Sequence, residues 1–141
     1  MVITITIPGE PAAKGRPRIG RGPGGRPVAV TPGKTRTREG IIASLAMDAM
    51  GGRAPMDGPL HVTVRAILPI SRSWPKKRQL AASVGLEYPT KRPDADNLAK
   101  LATDALSGIV WHDDAQIVAL MALKEYGTEP RTVITVQDMG A

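Results

Sequence analysis

A chain of 141 residues with 42% hydrophobic content suits one folded domain, residues 1–141, burying roughly two-thirds of the surface its unfolded form exposes. No apolar run approaches the roughly 20 residues of a membrane-spanning helix, and the absence of cysteine excludes disulfides and thiolate metal sites. Lys and Arg outnumber Asp and Glu 19 to 13, a formal net charge of +6, which favours an anionic partner, nucleic acid first and a membrane surface second.

Val2 to Ile7 alternates Ile with Thr, the period-two pattern of a strand with Ile3, Ile5 and Ile7 on one face. It has no basic leader and so does not read as a signal peptide, which favours the cytoplasm. Residues 8–33 are rich in Gly, Pro and Arg and read as a long loop, with a short strand within it at Pro27 to Thr31. Arg36 to Met50 reads as a helix with Ile41, Ile42, Leu45, Ala46 and Ala49 on its apolar side, stopped by Gly51 and Gly52. Pro59 to Pro69 is a second strand, its inward series Leu60, Val62, Val64, Ala66 and Leu68. Ser73-Trp-Pro75 starts a short helix running to about Ala82, and 84–93 is irregular. Asp96 to Ser107 is the best helix in the chain, with Leu98, Leu101, Ala102, Ala105 and Leu106 inward. Ile117 to Tyr126 and Thr132 to Gln137 are strands, read as a hairpin across 127–131. Four strands besides the short one at 27–31, and three helices, without strict βαβ alternation point to an α+β fold, a small mixed sheet packed with helices.

Charge is unevenly placed. Lys14, Arg16, Arg18, Arg21, Arg26, Lys34, Arg36 and Arg38 occupy a stretch with no acidic residue, and Arg72, Lys76, Lys77, Arg78, Lys91 and Arg92 form a second basic group. Against them stands an acidic island: Asp94, Asp96, Asp104, Asp113 and Asp114. The pattern suggests a cation site within a phosphate-binding surface, although solvated surface charge gives the same composition.

Arg92-Pro-Asp-Ala-Asp-Asn-Leu-Ala-Lys100 is the most informative segment. Pro93 disfavours helix at Arg92. With the helix beginning near Asp96, Asp94 lies in extended chain, and residues two apart in extended chain point the same way. Asp94 and Asp96 can then aim at one point, where mutual repulsion demands a shared cation or a proton. Lys100 and Asp104 follow at successive helical turns on the Asp96 face. Hard oxygen ligands select Mg²⁺, Mn²⁺ or Ca²⁺ over zinc. A bound Mg²⁺ would polarise a phosphoryl oxygen and acidify water, with Lys100 near the developing charge. Of the adjacent pair after the helix, Asp114 is expected to reach the site, with Asp113 behind it or facing solvent. The competing reading makes Asp96 an N-cap, Asp94 a favourable charge at the helix dipole and Lys100 an ordinary i,i+4 partner.

These residues resemble the RusA family of Holliday-junction resolvases. The resemblance runs through Arg92 to Lys100, Asp104-Ala-Leu106, Asp113-Asp-Ala-Gln-Ile117 and Lys124, in order and spacing, and extends loosely to Lys14-Gly-Arg-Pro-Arg18. It implies an α+β fold, a Mg²⁺-dependent homodimer (Mn²⁺ a possible substitute), and paired nicks across four-way DNA. It matches the family's essential aspartates to Asp94, Asp96 and Asp114 and its functional lysine to Lys100. Bacterial or phage origin accords with it. The stretch from Ser107 to His112 departs from the best-known member by one residue, so either Asp113 or Asp114 can be the ligand.

Lys14, Arg16, Arg18, Arg21 and Arg26 are the candidate phosphate contacts, Arg92 a further DNA contact, and Lys76, Lys77 and Arg78 candidates for gripping a second DNA arm. Surface charge with no partner is the alternative for each. Trp74, Trp111, Tyr88 and Tyr126 are the whole aromatic complement, too few for single-strand stacking platforms. Trp111 is expected in the core or an interface. The rival functions are a non-catalytic DNA-binding protein and another metal-dependent nuclease acting on flaps or RNA.

Overall fold

The computed structural model describes residues 1–12, 18–21, 27–30 and 33–140, with side chains for 1–12 and 37–140. In chain order the elements are β1 (Val2–Pro8), β2 (Arg18–Arg21), β3 (Pro27–Val30), α1 (Gly33–Met50), β4 (Leu60–Pro69), α2 (Lys76–Ser83), α3 (Ala95–Leu106), a 3₁₀ turn at Asp114–Gln116, β5 (Ile117–Gly127) and β6 (Arg131–Asp138). The fold is α+β, a four-stranded mixed sheet with three helices, as the element pattern implied. No helix among the described residues is long and apolar enough to cross a membrane.

The sheet order is β1-β6-β4-β5. β6 runs antiparallel to both β1 and β4, and β5 runs parallel to β4. Alternation does its usual sorting: Ile3, Ile5 and Ile7 of β1, Val62, Val64, Ala66 and Leu68 of β4, and Ile134 and Val136 of β6 all enter one core. That face is covered by Ile42, Ala46 and Met50 of α1 and by Leu98, Leu101, Ala102, Ala105 and Leu106 of α3. The α3 stripe is the one its period predicts. On α1 the expectation fails at Ile41, which is 43% exposed. At 3.6 residues per turn, Ile41 falls about 140° from the centre of the arc through Ile42, Ala46 and Met50, on the outer side of the helix.

The expected hairpin between the last two strands is wrong. β4 lies between them. Apart from its inward series, β4 also buries Ile67 on its other face, so it belongs in the sheet interior. β5, with Val118, Leu120 and Met121 all at least half exposed, takes the edge. The connection after β5 must therefore cross the end of β4. Gly127 makes that crossing possible, since a Cβ there would meet Ile67 Cγ2 at 2.5 Å. Gly127→Ala is expected to destabilise the fold by about 1–3 kcal/mol through overpacking, read as a lower urea midpoint at unchanged m-value. No shift in midpoint would mean that the crossing has slack.

Three smaller corrections concern boundaries. In the 8–33 region the short strand read at Pro27 to Thr31 is present as β3, and it pairs antiparallel with β2, a strand that Arg18-Ile-Gly-Arg21 is too short and too polar to show by alternation. Helix α1 begins three residues earlier than read. Helix α2 begins after Pro75 rather than at a Ser73 cap, because the Ser73 hydroxyl is engaged with that of Ser71.

Helix α3 runs antiparallel to β4 and β5. Near its start, Leu98 shares a small apolar cleft with Ile7 and Thr132, and Thr132 is the register partner of Ala66. Just past its end, Val110 accepts a hydrogen bond from Met56 N and Trp111 bridges Met56. Met56 lies four residues before β4 begins. The two ends of α3 therefore sit at opposite ends of the sheet.

Candidate active site

The acidic segment enters α3 as its spacing implied. Arg92-Pro93 is a cis peptide, and Asp94 is the N-cap in extended conformation, φ −75° and ψ 142°. Asp96 occupies the first turn. Asp94 makes no side-chain cap hydrogen bond, and among the described residues neither its carboxylate nor that of Asp96 has a hydrogen bond or ion pair. Both are exposed. The competing reading made Asp96 the N-cap; the cap position falls to Asp94 instead, and Asp96 lies in the first turn. A favourable charge–dipole interaction at the helix start remains for both.

Lys100 pairs with Asp104 rather than Asp96, Nζ to Oδ1 3.1 Å, with the lysine side chain 61% exposed. The pair is an i,i+4 bridge of the kind that stabilises a helix by about 0.3–0.5 kcal/mol. Lys100 itself stands one turn above Asp96, its ammonium drawn toward Asp104.

At the other end of α3 the two adjacent aspartates have different partners. Asp113 is the N-cap of the 3₁₀ turn: its carboxylate accepts from Ala115 N at 2.9 Å. The Gln116 side chain completes a capping box by accepting from Asp113 N. The same Gln116 amide donates to Met56 O and Gly58 O, which ties the turn to the approach to β4. Asp114 is held differently. The indole N–H of Trp111, a fully buried side chain, donates to Asp114 Oδ1 at 2.8 Å. One carboxylate is consumed in local structure; the other, on an exposed residue, is oriented by the core. Beside them His112 Nε2 lies 3.0 Å from Asp57 Oδ1.

Sequence reasoning missed Trp111 and Gln116 as the residues that set this turn. Asp113-x-x-Gln116 is a capping-box pattern and was legible. The indole bond was not, because it needs the loop's path. Lys124 was quoted only as part of the resemblance. Its Nζ donates to Lys91 O at 2.7 Å, fastening β5 to the strand of chain that leads into Asp94.

The three aspartates matched to the family's set do not meet within one chain. Asp94 and Asp96 stand at the start of α3, beside Lys124. Asp114 stands past its end, just before Ile117. The 12 residues of α3 span about 18 Å at 1.5 Å per residue. Among the described residues, no group of three His, Asp or Glu side chains is placed to hold one metal ion. The donor set has the right chemistry for Mg²⁺ but is split between two places.

Of the proposed DNA contacts, Lys14, Arg16 and Arg26 lie outside the described residues, and Arg18 and Arg21 are placed only as the ends of β2. Lys76, Lys77 and Arg92 are exposed, and among the described residues none has an ion-pair partner. Lys76 and Arg72 line an open groove between α2 and the crossing to β6. Arg78 is spent on structure: it bonds Glu87 at 3.0 Å and stacks 3.7 Å over the Trp74 ring. The Glu87 hydrogen bond pushes its guanidinium above the ordinary arginine value.

An uncharacterized protein of Bacillus subtilis (strain 168), YqaN, is 33% identical over 141 residues, spanning 99% of this chain and 98% of that one. The family model for the endodeoxyribonuclease RusA matches residues 8–137, taking in the basic N-terminal stretch, both aspartate segments and the strand between Asp114 and Lys124. The chain belongs to the RusA endodeoxyribonuclease family.

Proposed function

We propose that this protein is a Mg²⁺-dependent endodeoxyribonuclease that resolves four-way DNA junctions by paired incisions, working as a homodimer. The observation that carries the reading is the pair Asp94 and Asp96: two exposed carboxylates with no hydrogen bond or ion pair among the described residues, two positions apart at a helix entry in a chain of net charge +6. A basic protein gains nothing in DNA affinity from such a pair, and hard oxygen donors without thiolate suit Mg²⁺ or Mn²⁺. Asp94, Asp96 and Asp114 are the proposed metal-binding residues. Lys100, one turn above Asp96, supplies positive charge for the phosphate as its bridging bond breaks. Lys14, Arg16, Arg18, Arg21, Arg26, Lys76, Lys77 and Arg92 supply phosphate contacts, which position DNA without reading its sequence. Paired incision follows from symmetry, because a two-fold dimer presents equivalent sites to opposed strands of a four-way junction.

The test is a substrate panel of synthetic four-way junction, linear duplex, flap and single-stranded RNA, each with Mg²⁺ and with EDTA. The expected result is junction cleavage in Mg²⁺ alone, with two nicks placed symmetrically. Preferential cutting of the flap or RNA would move the protein to another nuclease class. Tight junction binding without Mg²⁺-dependent cleavage would make it an architectural protein.

A further inference from the structure

We infer that the groove beside α2 docks a protein partner, taking hold of a short acidic segment that carries a large apolar side chain. The groove encloses about 760 Å³, within the roughly 300–1,000 Å³ of binding clefts. It opens where β4 and β5 end, at the register pair Pro69 and Gly127. Pro69, Ile70, Leu80 and Pro130 supply its apolar lining, and Arg72 and Lys76 its charge. Among the described residues no carboxylate lines it, and neither cation has an ion-pair partner.

The sequence of α2 explains this wall. Lys76, Gln79, Leu80 and Ser83 recur at i, i+3, i+4 and i+7, which puts them on one face of the helix. Ala82, the residue that α2 buries, lies off that face, and so do Lys77 and Arg78. The Gln79 amide donates to Arg72 O and Trp74 O, so the turn carrying Arg72 is fastened to the helix. Leu80 is left 64% exposed, with Val84 at 60% one turn on and Leu86 at 79% beyond it. A single exposed aliphatic side chain needs no explanation; a run of them along a groove marks an interaction surface.

The lining chooses among occupants. Duplex DNA offers phosphates, which suit Arg72 and Lys76 but leave the aliphatic floor in water. Single strands bind by stacking on aromatic rings, and no aromatic side chain lines the groove. Trp74, in the turn before α2, is already covered by Arg78 and met edge-on by Tyr126. The segments of this chain outside the described residues contain Lys14, Arg16 and Arg26 and no acid, so they share the groove's sign. A second copy would offer the exposed apolar residues of β5, which has no carboxylate from Ile117 to Leu123. A foreign peptide with carboxylates around a Leu or Phe satisfies both halves of the lining. Its anchor covers the floor, and its acids meet Arg72 and Lys76 in charge-assisted hydrogen bonds. Lys76 is also a proposed phosphate contact; Leu80 has no part in the DNA reading and tells the two apart.

The experiment pans a display library of random dodecapeptides against the full-length protein and, in parallel, against Leu80→Ser. Peptides enriched on the wild type alone are synthesised with a fluorescent label and titrated by polarisation. They should carry two or more Asp or Glu around a large apolar residue and lose affinity as salt rises. Leu80→Ser should weaken binding about tenfold or more, as loss of an anchor does, and Arg72→Gln about threefold or more. Both side chains are on exposed residues, so melting point, sedimentation and junction affinity should match the wild type's. Arg72→Gln carries the test by itself where Leu80→Ser melts early. Absence of any peptide that prefers the wild type overturns the proposal, and so do enriched peptides that are basic or uncharged. A Leu80→Ser chain with junction affinity about tenfold lower gives the groove to DNA. One with an altered oligomeric state gives it to a second copy. Either result removes the peptide site.

Discussion

Asp96→Asn is expected to lower the rate of junction cleavage by at least about 100-fold, since loss of an outer-shell partner alone costs 10–100-fold at metal sites. The substitution is nearly isosteric and its side chain is exposed, without a partner among the described residues, so little packing is disturbed. What the fold loses is one favourable charge in the first turn of α3, about 0.3–1 kcal/mol. Thermal midpoint should therefore barely move. Junction affinity in EDTA should hold or rise slightly, because one negative charge leaves a phosphate-binding surface. The measurement is single-turnover cleavage in Mg²⁺ beside a melting curve and a binding isotherm. This three-way split separates a metal ligand from a helix-capping residue: capping predicts a lower melting point with cleavage intact. Cleavage within about threefold of wild type, at full folding, would remove Asp96 from the proposed machinery.

Legibility in the sequence followed the range of the interactions concerned. The α3 stripe, the inward series of β4 and the extended entry at Asp94 were readable because each is set by neighbours within a turn or two of chain. Strand order was not. The 117–126 and 132–137 runs look like a hairpin locally, and only the demand of Ile67 and its neighbours for cover on both sides puts β4 between them. The two ends of α3 show the same limit in the site. Spacing put Asp94 and Asp96 at one helix boundary, and both lie there. It also suggested that Asp114 would join them, and there the sequence has no information: an antiparallel helix carries the intervening residues to the far end of the sheet. The division of labour between Asp113 and Asp114 was half readable. A capping box can be seen in Asp113-x-x-Gln116, whereas the bond from Trp111 depends on a loop that folds back over Met56.

Trp111 should give the largest stability effect. Its side chain is wholly buried against the core, and truncation of a buried Trp to Ala costs about 3–5 kcal/mol, a large share of the 5–15 kcal/mol typical of a domain. Trp111→Ala is therefore expected to drop the urea midpoint severely. The informative variant is Trp111→Phe. It keeps most of the apolar contact but removes the N–H that holds Asp114 Oδ1 at 2.8 Å. Asp114 is exposed, so water replaces that bond at small cost to folding. What goes is orientation: a carboxylate pinned at one oxygen presents the other in a fixed direction, and a released one samples several rotamers. If Asp114 serves the reaction, Trp111→Phe should lose about 10–100-fold in cleavage, the penalty for removing a partner that aims a ligand, at a temperature where circular dichroism shows the fold intact. A purely structural tryptophan would lower the midpoint and leave cleavage per folded molecule unchanged. Asp114→Asn supplies the internal control. Its amide can still accept from the indole through Oδ1, so stability should hold while cleavage fails, and the two variants together separate the bond that builds the turn from the charge the turn presents.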